Sequence, residues 1–168
     1  VIAMICAESG GTRAWGELNI KLGAAILREA AAMTTQISGE VIPADRPGSL
    51  AMSVRQPCGV VLSMAPWNAP VVLGCRALAM PLACGNTVVF KASEFCPGIH
   101  SMLGEIFTAA GLPDGVLSIL HTPDSSAAEV VETLIAHPAV TCPIPATTNP
   151  AHAAENMRAC LGPMPDEK

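Results

Sequence analysis

Apolar and polar positions recur along this chain with two different periods, and the switches between them mark its elements. Over residues 12–38, Trp15, Leu18, Leu22, Ile26, Met33 and Ile37 return every three to four positions. That spacing predicts an amphipathic helix whose apolar stripe faces a core. GEVIPADRPGSLAMSVRQP, 39–57, breaks the period: short β-prone runs flank ADRPGS, which predicts a hairpin or extended ribbon. GVVLSMAP (59–66), TVVFK (87–91) and GVLSIL (115–120) are short apolar runs, the pattern of strands buried on both faces of a sheet. Helical patterns lie between them. One opens at Pro70, where a first turn tolerates proline, should kink at Pro81 and stops near Gly85. A second runs from Pro97 to Gly111. A third, AAEVVETLIAH, can be capped by Asp124 or Ser125 and ends near His137, where a histidine suits the helix dipole.

The order β-α-β-α-β-α predicts an α/β fold: an incomplete Rossmann-like parallel sheet of three βα units, with an N-terminal helix and an extended β-ribbon arm at 39–57. Its strands should end on one edge, where ligands bind in such sheets. The organised part spans 1–140. After Val140 the composition breaks, with five prolines in the last 28 residues, so 141–168 is expected to be an irregular, divergent tail.

Composition narrows the function classes. Half of the 168 residues are hydrophobic and 14% are charged, well below the usual quarter. A net charge of −5, two Trp, three Phe and no Tyr speak against a nucleic-acid surface. No apolar run reaches the length of a membrane span and no basic residue precedes the apolar start. The seven cysteines are odd in number and form no CxxC. They are expected to be reduced thiols in a cytoplasmic protein. His100, His121, His137 and His152 have no metal-ligand spacing, so no metal site is expected and surface or helix-end placement is the default.

Candidate chemistry gathers past two strands. Asn68 stands just before Pro70, where it can cap a helix or hold its amide still as part of a site for a reacting carbonyl. Lys91 ends the second strand and Glu94 follows it, as a solvated ion pair or as part of a cofactor site. Cys96, at a helix start near Lys91, is the thiol placed best for activation, with packing as its default reading. Val72, Leu73, Ala77 and Met80 read as core.

APWNAP (65–70), PLACGNTVVFKASE (81–94) and AGLPDGVLSIL (110–120), with the spacing between them, resemble the aldehyde dehydrogenase superfamily over about residues 1–140. LREAAAMTTQISGEVIPADRPGSLAM is closest to its aryl-aldehyde branch. The resemblance implies oxidation of an aldehyde, in this branch aromatic, to its acid with NAD(P). It implies that Asn68 is an oxyanion-hole donor, that Pro66 and Trp67 line the nicotinamide side, and that Lys91 and Glu94 hold the adenosine ribose. Three departures matter. TCPIPATTNP replaces the Phe-Thr-Gly-Ser phosphate turn expected after HPAV, and the family's nucleophilic cysteine and general-base glutamate have no counterpart. Cys96 also replaces the usual Ser or Thr cap, which should weaken that helix start. The expectation is a truncated chain, inactive alone. The alternative is a non-catalytic remnant, or a module that binds a full-length relative or itself through the 39–57 ribbon, which resembles the family's subunit-contact arm.

Overall fold

The computed structural model describes residues 1–138 and 140–143. The elements are α1 (Ile2–Ser9), α2 (Arg13–Met33), β1 (Glu40–Ile42), β2 (Ala51–Ser53), β3 (Val60–Met64), α3 (Pro70–Ala83), β4 (Thr87–Lys91), α4 (Pro97–Ala109), β5 (Leu117–Leu120), α5 (Asp124–Ala136) and β6 (Val140–Pro143). β1 and β2 pair antiparallel, with Val41 opposite Met52, as the ribbon pattern predicts. The other strands form one parallel sheet in the order β5-β4-β3-β6.

The α/β reading therefore holds, with a fourth strand added. β6 pairs with β3 on the side away from β4, Val60 opposite Val140 and Leu62 opposite Pro143. It runs three residues into the segment read as irregular; the remainder of 141–168 lies outside the described residues. A strand of four residues containing a proline carries too little pattern to be recognised, and as an edge strand it tolerates that proline. Its position also sets the topology. The chain steps from β3 through β4 to β5, then returns to the far side of β3, so the direction of winding reverses between β3 and β6. Open parallel sheets bind ligands at the carboxyl ends of strands flanking such a reversal.

The core lies between β3–β4–β5 and the layer of α3 and α4, with Phe90, Leu78, Cys96 and Ile5 fully buried. Ile5 belongs to α1, an eight-residue element ending at Gly10 in the left-handed region, φ 66. Its uniformly apolar start gives no helical period, so the sequence does not announce it. Helix α2 corrects another expectation. Trp15, Leu18, Leu22, Met33 and Ile37, expected to face the core, are exposed. The buried side is instead Gly16, Asn19, Gly23 and Ala30, with Ile20, Ile26 and Leu27 half-buried against the core. Small residues win because α2 lies close on α3: a Cβ at Gly23 would sit 2.9 Å from Val71 Cγ1 and 3.2 Å from Cys75 Sγ. Pro81 falls in the last turn of α3, which continues to Ala83 before Gly85, φ 81, turns the chain into β4. α5 begins after Pro123, so its cap position holds neither Asp124 nor Ser125.

α3 and α4 share one feature that bears on the site. Their N-cap positions are Ala69 and Cys96, and neither offers a side-chain cap. Each is capped from a distant helix instead. The fully buried Asn19 of α2 accepts from Val72 N at 3.5 Å. Glu8 of α1 accepts from Gly98 N at 2.8 Å and Ile99 N at 3.0 Å, and its carboxylate complements the positive end of the α4 dipole. A Cβ at residue 98 would come 2.6 Å from Glu8 Oε1, so Gly98 makes room for this cap. The start of α4, expected to be weakened by Cys96, is thus satisfied across ninety residues.

Candidate active-site edge

β3 and β4 run parallel with Met64 opposite Lys91. Their carboxyl ends lie side by side and carry APWNAP, 65–70, and KASE, 91–94, onto one edge. The loop after β3 holds Pro66, Trp67 and Asn68, all exposed. Asn68 is not the α3 cap. That position belongs to Ala69, and the Asn68 carboxamide has no hydrogen-bond partner among the described residues. An amide left unused by the fold at a helix start is available as a donor.

The loop after β4 is more constrained. Lys91 is buried, and its Nζ lies 3.0 Å from Glu94 Oε2. A hydrogen bond from the backbone N–H of Glu94 itself, then one from Lys91, holds this carboxyl below the usual carboxylate range. The Glu94 carboxylate is therefore ionised at neutral pH, and the pair is partly withdrawn from water, unlike the solvated pair of the plainer reading. Trp67 and Phe95, 47% and 60% exposed, bring their rings to 6.0 Å between centroids and join the two loops. Phe95 carried no signal at the sequence level, because exposed aromatics next to a charged motif have no diagnostic spacing.

His100 overturns the surface placement expected for histidines. It is fully buried, packed edge-on against Phe90 with ring centroids 5.0 Å apart. Its Nδ1 accepts from Ser93 N at 3.0 Å, and the Pro70 carbonyl also faces the ring. Burial pushes its pKa down to about 4. A neutral imidazole thus ties the Lys91–Glu94 loop to the start of α3, immediately after Asn68. Its four-residue spacing from Cys96 on an apolar helix face was the available signal.

Four of the described thiols, Cys58, Cys75, Cys84 and Cys96, do not supply a nucleophile beside Asn68. Burial pushes Cys75 and Cys96 up to about 11, so both stay protonated at neutral pH. Cys58 and Cys84 are exposed at the opposite, amino-terminal ends of β3 and β4. They border an apolar groove of about 1370 Å³ between α2, α3 and β3, which meets the proposed site only at Pro66. Among the described residues no His, Cys, Asp and Glu cluster suits a metal, and no helix is long and apolar enough to cross a membrane.

The edge has a feature that fits the adenosine half of a dinucleotide, the partly buried Lys91–Glu94 pair. Of the residues read from sequence, Pro66, Trp67, Asn68, Lys91 and Glu94 all stand on this edge.

Comparisons with known proteins agree with this architecture. A family model described as the aldehyde dehydrogenase family matches residues 1–144. The chain is 59% identical to a vanillin dehydrogenase of Pseudomonas fluorescens over 133 residues, 79% of this chain and 28% of that protein. It is 45% identical to a salicylaldehyde dehydrogenase of Pseudomonas putida over 134 residues, 80% of this chain and 28% of that protein. Among solved structures, a salicylaldehyde dehydrogenase from Pseudomonas putida G7 complexed with salicylaldehyde superposes with a TM-score of 0.85 at 39% identity, covering 90% of this chain and 31% of that one. An NAD-dependent benzaldehyde dehydrogenase from Corynebacterium glutamicum gives 0.87 at 29% identity, covering 96% and 34%. The chain spans about a third or less of the length of these relatives. By the family match over residues 1–144 and a parallel sheet whose edge carries APWN and KASE, this chain belongs to the aldehyde dehydrogenase family.

Proposed function

We propose that this chain forms the coenzyme-side framework of an NAD(P)-dependent dehydrogenase that oxidises an aromatic aldehyde to its carboxylic acid. One observation carries the reading: an unengaged Asn68 carboxamide shares a sheet edge with a partly buried Lys91–Glu94 pair. The similarity to vanillin, salicylaldehyde and benzaldehyde dehydrogenases supports an aromatic substrate. Glu94 and Lys91 would hold the adenosine ribose, with the Glu94 carboxylate accepting from its hydroxyls. Trp67 and Pro66 would line the nicotinamide side, and the bound coenzyme would supply the hydride acceptor. Attack on the aldehyde carbon turns its oxygen into an alkoxide. An N–H donated by Asn68 would stabilise that charge by about 3 kcal/mol.

These 168 residues alone are expected not to turn over, because the described buried thiols are held protonated. Mixing the purified chain with NAD and vanillin, salicylaldehyde or benzaldehyde should give no absorbance of reduced coenzyme. Sustained turnover that disappears in Asn68→Ala would place the whole catalytic set within this chain and overturn that part of the reading.

A second reading, a partner-binding module, is favoured by exposed apolar surface. Val41 and Leu50 on the ribbon are 73% and 71% exposed, and Trp15, Leu18 and Leu22 line the outer face of α2. The proposed partner is a second copy or a full-length relative, met through residues 39–57. Light scattering after size exclusion tests it: a monodisperse monomer with a sharp two-state melt excludes self-association as the use of this surface.

A further inference from the structure

Cys58 and Cys84 are exposed, and both border the apolar groove between α2, α3 and β3. Cys58 comes just before β3, and Cys84 just after α3, at the turn into β4. That junction is closely tied. Gly59 N donates to Asn86 Oδ1 at 3.0 Å, Thr87 N donates to Gly59 O at 3.0 Å, and Asn86 Nδ2 donates to Pro81 O at 3.0 Å. On the other side of Cys58, Pro57 packs on Gly85, where a Cβ would meet the proline Cγ at 3.1 Å. Both chain neighbours of Cys58 therefore touch the residues that directly follow Cys84. Neighbouring strands lie about 4.8 Å apart, within the Cα separations of about 4.4–6.8 Å that disulfides span. Cys75 and Cys96, by contrast, are buried and held protonated.

We propose that Cys58 and Cys84 form a paired-thiol modification site, which a low-molecular-weight disulfide such as oxidised glutathione converts into an intramolecular disulfide. The thiolate of one cysteine attacks a sulfur of the small disulfide, whose S–S bond breaks to release one thiol. The second cysteine's thiolate then attacks the protein sulfur of that mixed disulfide and releases the other thiol. The two protein thiols are oxidised to one disulfide, the reagent is reduced to two thiols, and the cysteine protons leave on them. The product ties the start of β3 to the end of α3 and closes a loop that contains Pro66, Trp67 and Asn68. The pair stands at the amino-terminal ends of β3 and β4, away from Lys91 and Glu94, so its chemistry is independent of the coenzyme reading.

The full chain is incubated with oxidised glutathione in buffer and in denaturing urea, quenched with iodoacetamide, and mapped by non-reducing tryptic mass spectrometry. In buffer the main product should be peptides 56–76 and 77–91 joined, two hydrogens lighter than their sum, with fragment ions placing the bond at Cys58 and not Cys75. In urea the share of that link should fall about fivefold or more, because the seven thiols of an unfolded chain compete. Cys84→Ser should abolish the link and leave glutathione on Cys58. Glutathione carried separately on Cys58 and Cys84 of the wild type, with no link, overturns the proposal, since the two thiols are then out of mutual reach. A link to another cysteine in buffer, or no reaction at either thiol, overturns it as well. So does an equal share of the 58–84 link in urea, which makes it a chance encounter that owes nothing to the fold.

Discussion

Replacing His100 by Leu tests how the site loops are held. The ring is fully buried, so the exchange leaves Ser93 N–H, on a buried residue, without its acceptor. An unsatisfied buried donor costs ~1–3 kcal/mol, and the lost edge contact with Phe90 adds ~1 kcal/mol. The expected destabilisation at neutral pH is therefore roughly 2–4 kcal/mol. A second signature is specific to the imidazole. Burial lowers its pKa from 6.5 to about 4. Between those values the unfolded chain binds the proton and the folded one does not, so acidification favours unfolding. Above 6.5 both states are neutral and the contribution is fully present. At ~1.4 kcal/mol per pH unit the loss reaches roughly 3 kcal/mol near the lower value. Urea unfolding followed by far-UV circular dichroism, at steps from pH about 7 to about 4, gives both quantities. Wild type should lose stability more steeply than the variant across this window. Parallel pH dependences would refute the buried neutral histidine, whatever the offset between the curves.

Other substitutions probe the remaining joints. Glu8→Ala removes the acceptor for two backbone N–H groups of α4 and should cost ~1–2 kcal/mol, read by urea midpoint. Asn86→Ala breaks the bond from Gly59 N and the bond to Pro81 O, both 3.0 Å, for roughly 2 kcal/mol; an unchanged midpoint would contradict this joint. Gly23→Ala forces a methyl against Val71 and Cys75 and should lower stability by ~1–3 kcal/mol. Leu18→Gln, on the exposed face of α2, should change monomer stability by no more than ~0.5 kcal/mol; a loss of ~2 kcal/mol or more would return that stripe to the core.

The strands and helices of 59–120 were legible because each is a complete apolar run closed by Gly or Pro, and the two chemical motifs sit where those runs stop. Three things were not. The buried face of α2 escaped because hydrophobic periodicity marks where apolar side chains cluster, whereas close helix contact here selected Gly16, Gly23 and Ala30. β6 escaped because a short edge strand with a proline resembles a loop. The caps escaped because capping patterns are local, and Ala69 and Cys96 give no hint that Asn19 and Glu8 supply what they lack. Asn68 looked like a cap for the same reason, and its freedom became visible only once Asn19 was found in that place.

Those borrowed caps also bear on how the chain is made. Translation delivers Glu8 and Asn19 before the helix starts at Val72 and Gly98 that they serve, so the acceptors are already waiting when each late-emerging segment leaves the ribosome. In refolding from denaturant the same contacts must instead be found across separations of 53 and ninety residues, a search that slows folding. Synthesis from the N-terminus and dilution from urea therefore assemble this sheet edge by different routes.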